Sequence, residues 1–158
     1  MYCASNLKQL GLALHSYHDA RQRFPSGVIT SEDDFRDGMH SGFTLLLPHL
    51  EESSLHRAYD FASNWRSENN LSVAQNRLDV LLCPSSGNVV PQDGGAAGAP
   101  ADYAFCKGSV AFLCSQPAGG GMFDINSRVR IKAISDGTSH TLAMGEAASS
   151  PDLLAAST

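Results

Sequence analysis

The sequence lacks any apolar run close to the roughly 20 residues that a membrane-spanning helix needs. It has no Cys-x-x-Cys pair among its four cysteines, which removes the common zinc and thioredoxin-like spacings. Gly-x-Ser-x-Gly is absent, so no serine sits in the elbow that would expose a nucleophile. Positive charge is scarce: 11 Lys and Arg stand against 16 Asp and Glu, giving a net charge of -5. Nucleic-acid binding needs clustered cations, so that partner class is not expected. The densest basic run, Arg128-Val129-Arg130-Ile131-Lys132, alternates as the solvated face of a strand would. The 158 residues, 42% hydrophobic and 17% charged, suit one core and one domain over 1–158.

What is present begins with a helix. Cys3, Leu7, Leu10, Leu14 and Tyr17 recur at i, i+3, i+4 and i+7 spacing and share one face, as a helix packed on a core requires. Leu12 lies on the opposite side. This stretch, 1–23, reads as a spine, and its abrupt start without an N-cap run-up leads us to expect that it continues upstream in the natural protein. It should stop near Arg21 to Arg23, because Phe24-Pro25-Ser26-Gly27 is a breaker cluster.

Residues 28–40 are polar and read as a surface connection. The region 41–83 holds a short apolar run ending at Pro48, a helix expected over 48–59, and a buried strand at Leu78-Asp79-Val80-Leu81-Leu82-Cys83. Residues 85–101, rich in Gly, Ala and Pro, read as a flexible loop. Over 102–146, short apolar runs broken by turns predict an antiparallel sheet, with Val129, Ile131 and Ala133 on one face of a strand and Glu146 buried at the end of another. Helix first and sheet after is an α+β order.

An even cysteine count without metal spacing favours disulfides and an oxidising compartment. Cys106 and Cys114 end two strand-like runs around Lys107-Gly108-Ser109 and would meet in a hairpin, which leaves Cys3 and Cys83 for each other. Four buried free thiols are the alternative.

Chemistry-bearing patterns are sparse. His15 and His18 stand at i, i+3, but only His18 borders the apolar stripe, so a buried, hydrogen-bonded His18 is preferred to a metal pair. Asp93-Gly94-Gly95 with Asp102, or Asp124 with Asn126, offers oxygen ligands for calcium, yet neither follows the EF-hand spacing. Glu51-Glu52 are adjacent and point apart on a helix, so they make a poor acid/base pair. The triplet Gly119-Gly120-Gly121 lacks the lysine of a phosphate loop. No catalytic, cofactor-binding or metal site is expected.

Four motifs carry a resemblance. Asn6-Leu7-Lys8-Gln9 running to His15, His18 and Asp19, with Phe24-Pro25, comes first. Leu47-Pro48-His49-Leu50-Glu51-Glu52 and Leu82-Cys83-Pro84-Ser85 follow. Ile134-Ser135-Asp136-Gly137-Thr138-Ser139-His140-Thr141-Leu142 with Gly145-Glu146 is last. In this order they resemble a planctomycete-type family of prepilin-like, pseudopilin-related proteins of unknown function, also catalogued as a bacterial solute-binding family. Cys3 and Cys83 stand where the family pattern has cysteine; Cys106 and Cys114 do not.

The resemblance implies a pilin-like head, with the helix packed on a sheet, on the periplasmic or extracellular side of the cell envelope. It implies an inner-membrane anchor through an upstream helix, a type II secretion or pilin-like assembly role, and like subunits or secretion components as partners, with Leu12 on the assembly face. A non-enzymatic role is expected. The alternative is an extracytoplasmic module that captures a carbohydrate or other solute in a groove formed by the 85–101 and 115–127 loops, with the aromatics Tyr103, Phe105, Phe112 and Phe123 near them.

Overall fold

The apolar stripe of the first helix is buried where its spacing requires. In the computed structural model, which describes residues 2–31, 38–86, 98–107 and 121–147, α1 runs Tyr2–Arg21 and buries Leu10, Ala13, Leu14 and Tyr17. Leu12, on the opposite face, is 61% exposed. The helix closes on Gln22, whose left-handed backbone (φ 56) lets its N–H reach the carbonyl of His18 at 2.6 Å. Phe24 and Pro25 then turn into the core.

Two clusters sit along α1. Leu14 and Tyr17 pack with Phe24, Leu46 and Phe123, while Leu10 packs with Leu81, Cys83 and Tyr103. Phe43, Leu50 and Met144 border both, so the core is continuous. Full burial of each large apolar side chain contributes about 1.5–3 kcal/mol, and that sum holds the helix down.

The segment 28–40, read as a surface connection, pairs its two ends. Strand β1, Val28–Thr30, and β2, Gly38–Ser41, form an antiparallel ribbon with an irregularity between Ile29 and Thr30. Ser41 caps α2, Gly42–Leu46, by accepting the Phe43 N–H. The helix expected over 48–59 is two pieces, a 3-10 turn at Leu47–Leu50 and α3 at Ser53–Ala58, because Glu51 adopts a left-handed conformation (φ 66) between them. Helix α4, Glu68–Ala74, starts from Ser67, whose hydroxyl accepts the Asn70 N–H.

Two strand expectations are corrected. In Leu78 to Cys83 the last three residues are buried, but among the described residues the run has no partner strand: the Leu81 and Leu82 N–H groups turn back to Leu78 and Asp79 in a 3-10 turn, Asp79–Leu81. Among the described residues of the sheet expected over 102–146, the ladder is β3, Tyr103–Phe105, paired with β4, Met144–Glu146, and the second arm of the expected hairpin, Val110 to Cys114, lies outside the described residues. Val129 does not enter a ladder. Its carbonyl accepts the Phe24 N–H, and Ile131–Ala133 is a 3-10 turn with Ile131 exposed. Glu146 is exposed although it shares a face with Tyr103 and Met144, with its carboxylate beside the Cys3 and Cys83 sulfurs.

The α+β class stands: an N-terminal helix and two small antiparallel sheets. A parallel bridge, Val28 to Ile125, lays the 121–130 segment beside β1. Gly27 permits this approach, since a Cβ there would lie 2.2 Å from the carbonyl oxygen of Phe123.

Candidate functional site

The foot of α1 gathers the first and third motifs into one clamp. Cys3 and Cys83 form a disulfide. Next to it, the Asn6 amide donates to the carbonyls of Leu82 at 2.7 Å and Asp79 at 3.3 Å. The Tyr103 hydroxyl donates to the Cys3 carbonyl at 3.3 Å. Asp102, fully buried, accepts the Cys83 N–H at 2.8 Å and the Ser86 hydroxyl at 2.7 Å. Its carboxylate is therefore a structural acceptor here. Cys106 is half-buried, and Cys114 lies outside the described residues, as do Asp93, Phe112 and most of the 85–101 loop.

The other motif positions scatter. Leu7 and Leu50 are half-buried against the core, while Gln9, Pro48, Glu51, Pro84 and Ser85 are exposed. His15 is exposed, whereas His18 packs on Phe24 at 4.8 Å between ring centroids and accepts the Ile131 N–H through Nε2. His15 flanks the same Phe24 ring from the solvent side, 6.2 Å between centroids. Asp136, Gly137, Thr138 and Ser139 are all exposed. Among the described residues, the one group of three close potential metal ligands is Cys3, Cys83 and Glu146, and its two sulfurs are bonded to each other.

Two polar centres went unread in the sequence. Asn70 is fully buried; its amide donates to the carbonyls of Asp60, Ser63 and Asn64 and its oxygen accepts the Asp60 N–H, which pins the 60–64 loop. His40 is buried among Tyr59 and Phe61, with Nδ1 2.9 Å from the Tyr59 hydroxyl and Nε2 3.1 Å from the Phe61 carbonyl. The carbonyl can only accept, so Nε2 carries the proton and Nδ1 accepts from Tyr59. Burial raises the Tyr59 hydroxyl to about 12 and holds His40 below its ordinary value, against the opposing pull of the Phe61 carbonyl and Asp60. Only the dense polar run from Asp60 to Asn70 hinted at the first centre, and nothing marked the second.

The 121–133 segment holds an open groove of about 560 Å³ lined by Asp124, Ile125, Ser127 and the basic run Arg128 to Lys132. Asp124 is 5% exposed. Its Oδ1 accepts the Ile125 N–H at 2.8 Å and lies 3.5 Å from the Lys107 ammonium. Its Oδ2 is buried and has no hydrogen-bond partner among the described residues. Asn126 does not join Asp124 as a ligand, because its side chain is clasped to the backbone and hydroxyl of Thr30. A smaller cavity of about 200 Å³ shares Ile125 with the groove and is walled by Phe43, Tyr103, Phe105 and Phe123, with Lys107 beside them.

One family model, SBP_bac_10, matches residues 1–156. The chain belongs to this family of proteins of unknown function (DUF1559). In this SBP_bac_10 member, two of the four motifs meet at the foot of α1 and the last lies at the surface. No curated protein matches the chain, and no solved structure matches it.

Proposed function

We propose that the chain is the head of a prepilin-like, pseudopilin-related envelope protein whose work is packing with like subunits or secretion components, without bond chemistry. One observation carries the reading: α1 is a 20-residue helix tied to the head by a disulfide at its foot, buried along one face and open along the other. Ala4, Ser5, Lys8, Gln9 and Leu12 are exposed on that open side, and a methyl group at Gly11 would meet nothing within 4 Å. Ala4, Ser5 and Gly11 beside Leu12 allow a second helix to approach closely, with the longer Lys8 and Gln9 side chains free to swing aside. The disulfide supports an oxidising compartment such as the cell envelope.

Sedimentation of the natural protein tests the reading. Leu12→Glu should abolish self-association and leave the melting temperature nearly unchanged, while Leu14→Ala should destabilise the head by about 2–5 kcal/mol. Self-association that survives Leu12→Glu would sink the assembly face.

A second reading is an extracytoplasmic module that captures a carbohydrate or other solute. It is favoured by the open groove beside Asp124, whose buried carboxylate oxygen has no partner.

A further inference from the structure

We infer that the groove beside Asp124 is a binding site for a small hydroxylated carboxylate, of the uronate or aldonate class; this rests on the solute-capture reading. The groove's volume, about 560 Å³, falls within the range of small-molecule sites. Its polar groups are of two kinds. Arg128, Arg130 and Lys132 are exposed along its wall, and a guanidinium presents a planar fork that matches a carboxylate. Asp124 supplies the opposite need.

A buried carboxylate oxygen without a donor is costly, and nearly all such atoms in folded proteins are satisfied. Asp124 Oδ2 is such an atom, in a residue that lines the groove. The terminal torsion of an aspartate is soft, so this oxygen can turn toward a donor placed there. The Lys107 ammonium 3.5 Å from Oδ1 already compensates the charge. A second ammonium would be repelled by Lys107, whereas a hydroxyl would not. The complementary ligand therefore carries a carboxylate for the arginines and a hydroxyl for Asp124. Ile125, Val129 and Ala133 offer it apolar contact for its carbon skeleton.

Titration calorimetry with D-galacturonate, D-gluconate and D-galactose on the intact chain tests this. At least one of the two acids should bind, about tenfold or more tightly than galactose, and binding should weaken as salt rises because the cations are exposed. A preference for galacturonate assigns the ring form, and one for gluconate the open chain. Asp124→Asn, and separately Arg128→Gln with Arg130→Gln, should each weaken binding by about tenfold or more. The arginines are exposed, so that double variant decides the matter if Asp124→Asn fails to fold.

Galactose binding as tightly as the acids would overturn the anionic class and leave solute capture standing. Binding of none of the three would overturn the inference, and would leave the solute-capture reading to ligands of another class. Acid binding undiminished in the arginine variant would place the ligand elsewhere and overturn the site.

Discussion

The foot of α1 and the arc from Arg130 to Leu142 are held in opposite ways. At the foot, a disulfide, the Asn6 amide and the Asp102 carboxylate join segments far apart in sequence, and the residues between them are buried. Along the arc, only Ile134 and Thr141 escape full exposure, and the hydrogen bonds are mostly local, each N–H reaching back three residues. The long-range tie is the Ile131 N–H to His18. Both regions carry family motifs, so motif residues can serve different ends. At the foot they are explained by what they hold together. On the arc Ile134 packs on the core, while most of the others stand in solvent without a packing role.

The sharpest way to break this contrast is to cut the clamp. Replacing Cys3 and Cys83 by serine removes a link between residues 80 apart in sequence, and should cost about 2–5 kcal/mol of stability in denaturant titration. A loss under about 1 kcal/mol would mean that the buried side chains hold the foot without the link.

Asp102→Ala acts on the same clamp with a smaller effect. It leaves the buried Cys83 N–H without its acceptor, and should cost about 1–3 kcal/mol, measured by the same titration. Asp102→Asn, which retains one oxygen acceptor, should recover part of that loss. If the alanine variant is as stable as the parent, the side chain is not the foot's acceptor in solution.

The foot was legible because it speaks in periodicity. Leu10, Leu14 and Tyr17 face the core as their spacing demands, and Arg21 ends the helix where Phe24-Pro25 stops it. The β regions were misread for a physical reason. An apolar run such as Leu78 to Cys83 declares burial, but a strand also needs a partner, and none is written in a local sequence. The alternation at Val129, Ile131 and Ala133 failed likewise, since a single bond to Phe24 replaced a ladder. Asp124 was visible as an acid and not as an unpartnered one. That property depends on the burial of Oδ2 and on Lys107 reaching Oδ1, which only the folded chain supplies.

The middle of the chain sides with the foot and adds a pH dependence. His40 is held below its ordinary value near 6.5, mainly by burial. The unfolded chain therefore takes up a proton at pH values where folded His40 stays neutral. Its contribution to stability is complete above pH 6.5 and declines as pH falls through 6.5 toward the depressed folded value. His49, lowered by burial and then by the positive charges of Arg21 and His56, adds in the same direction. Thermal melts of His40→Gln from neutral to mildly acidic pH should fall less steeply than the parent's. Equal slopes would show that His40 takes up its proton alike in the folded and unfolded chains, and that the acid sensitivity belongs to other groups.

The smallest effect is expected on the arc, where Leu142 is 77% exposed. Exposed apolar side chains contribute little burial to lose, so Leu142→Ser should change stability by no more than about 0.5 kcal/mol. Ser139→Ala, exposed on the same arc, should match it. Since the Ile131 N–H reaches only to His18 and the turns close within the arc, neither change removes a contact that reaches the core. Denaturant titration of the two variants beside the cysteine pair sets the scale of the contrast. Loss of 2 kcal/mol or so at Leu142 would place the arc under cover in solution, and the difference between a stitched foot and an open arc would disappear.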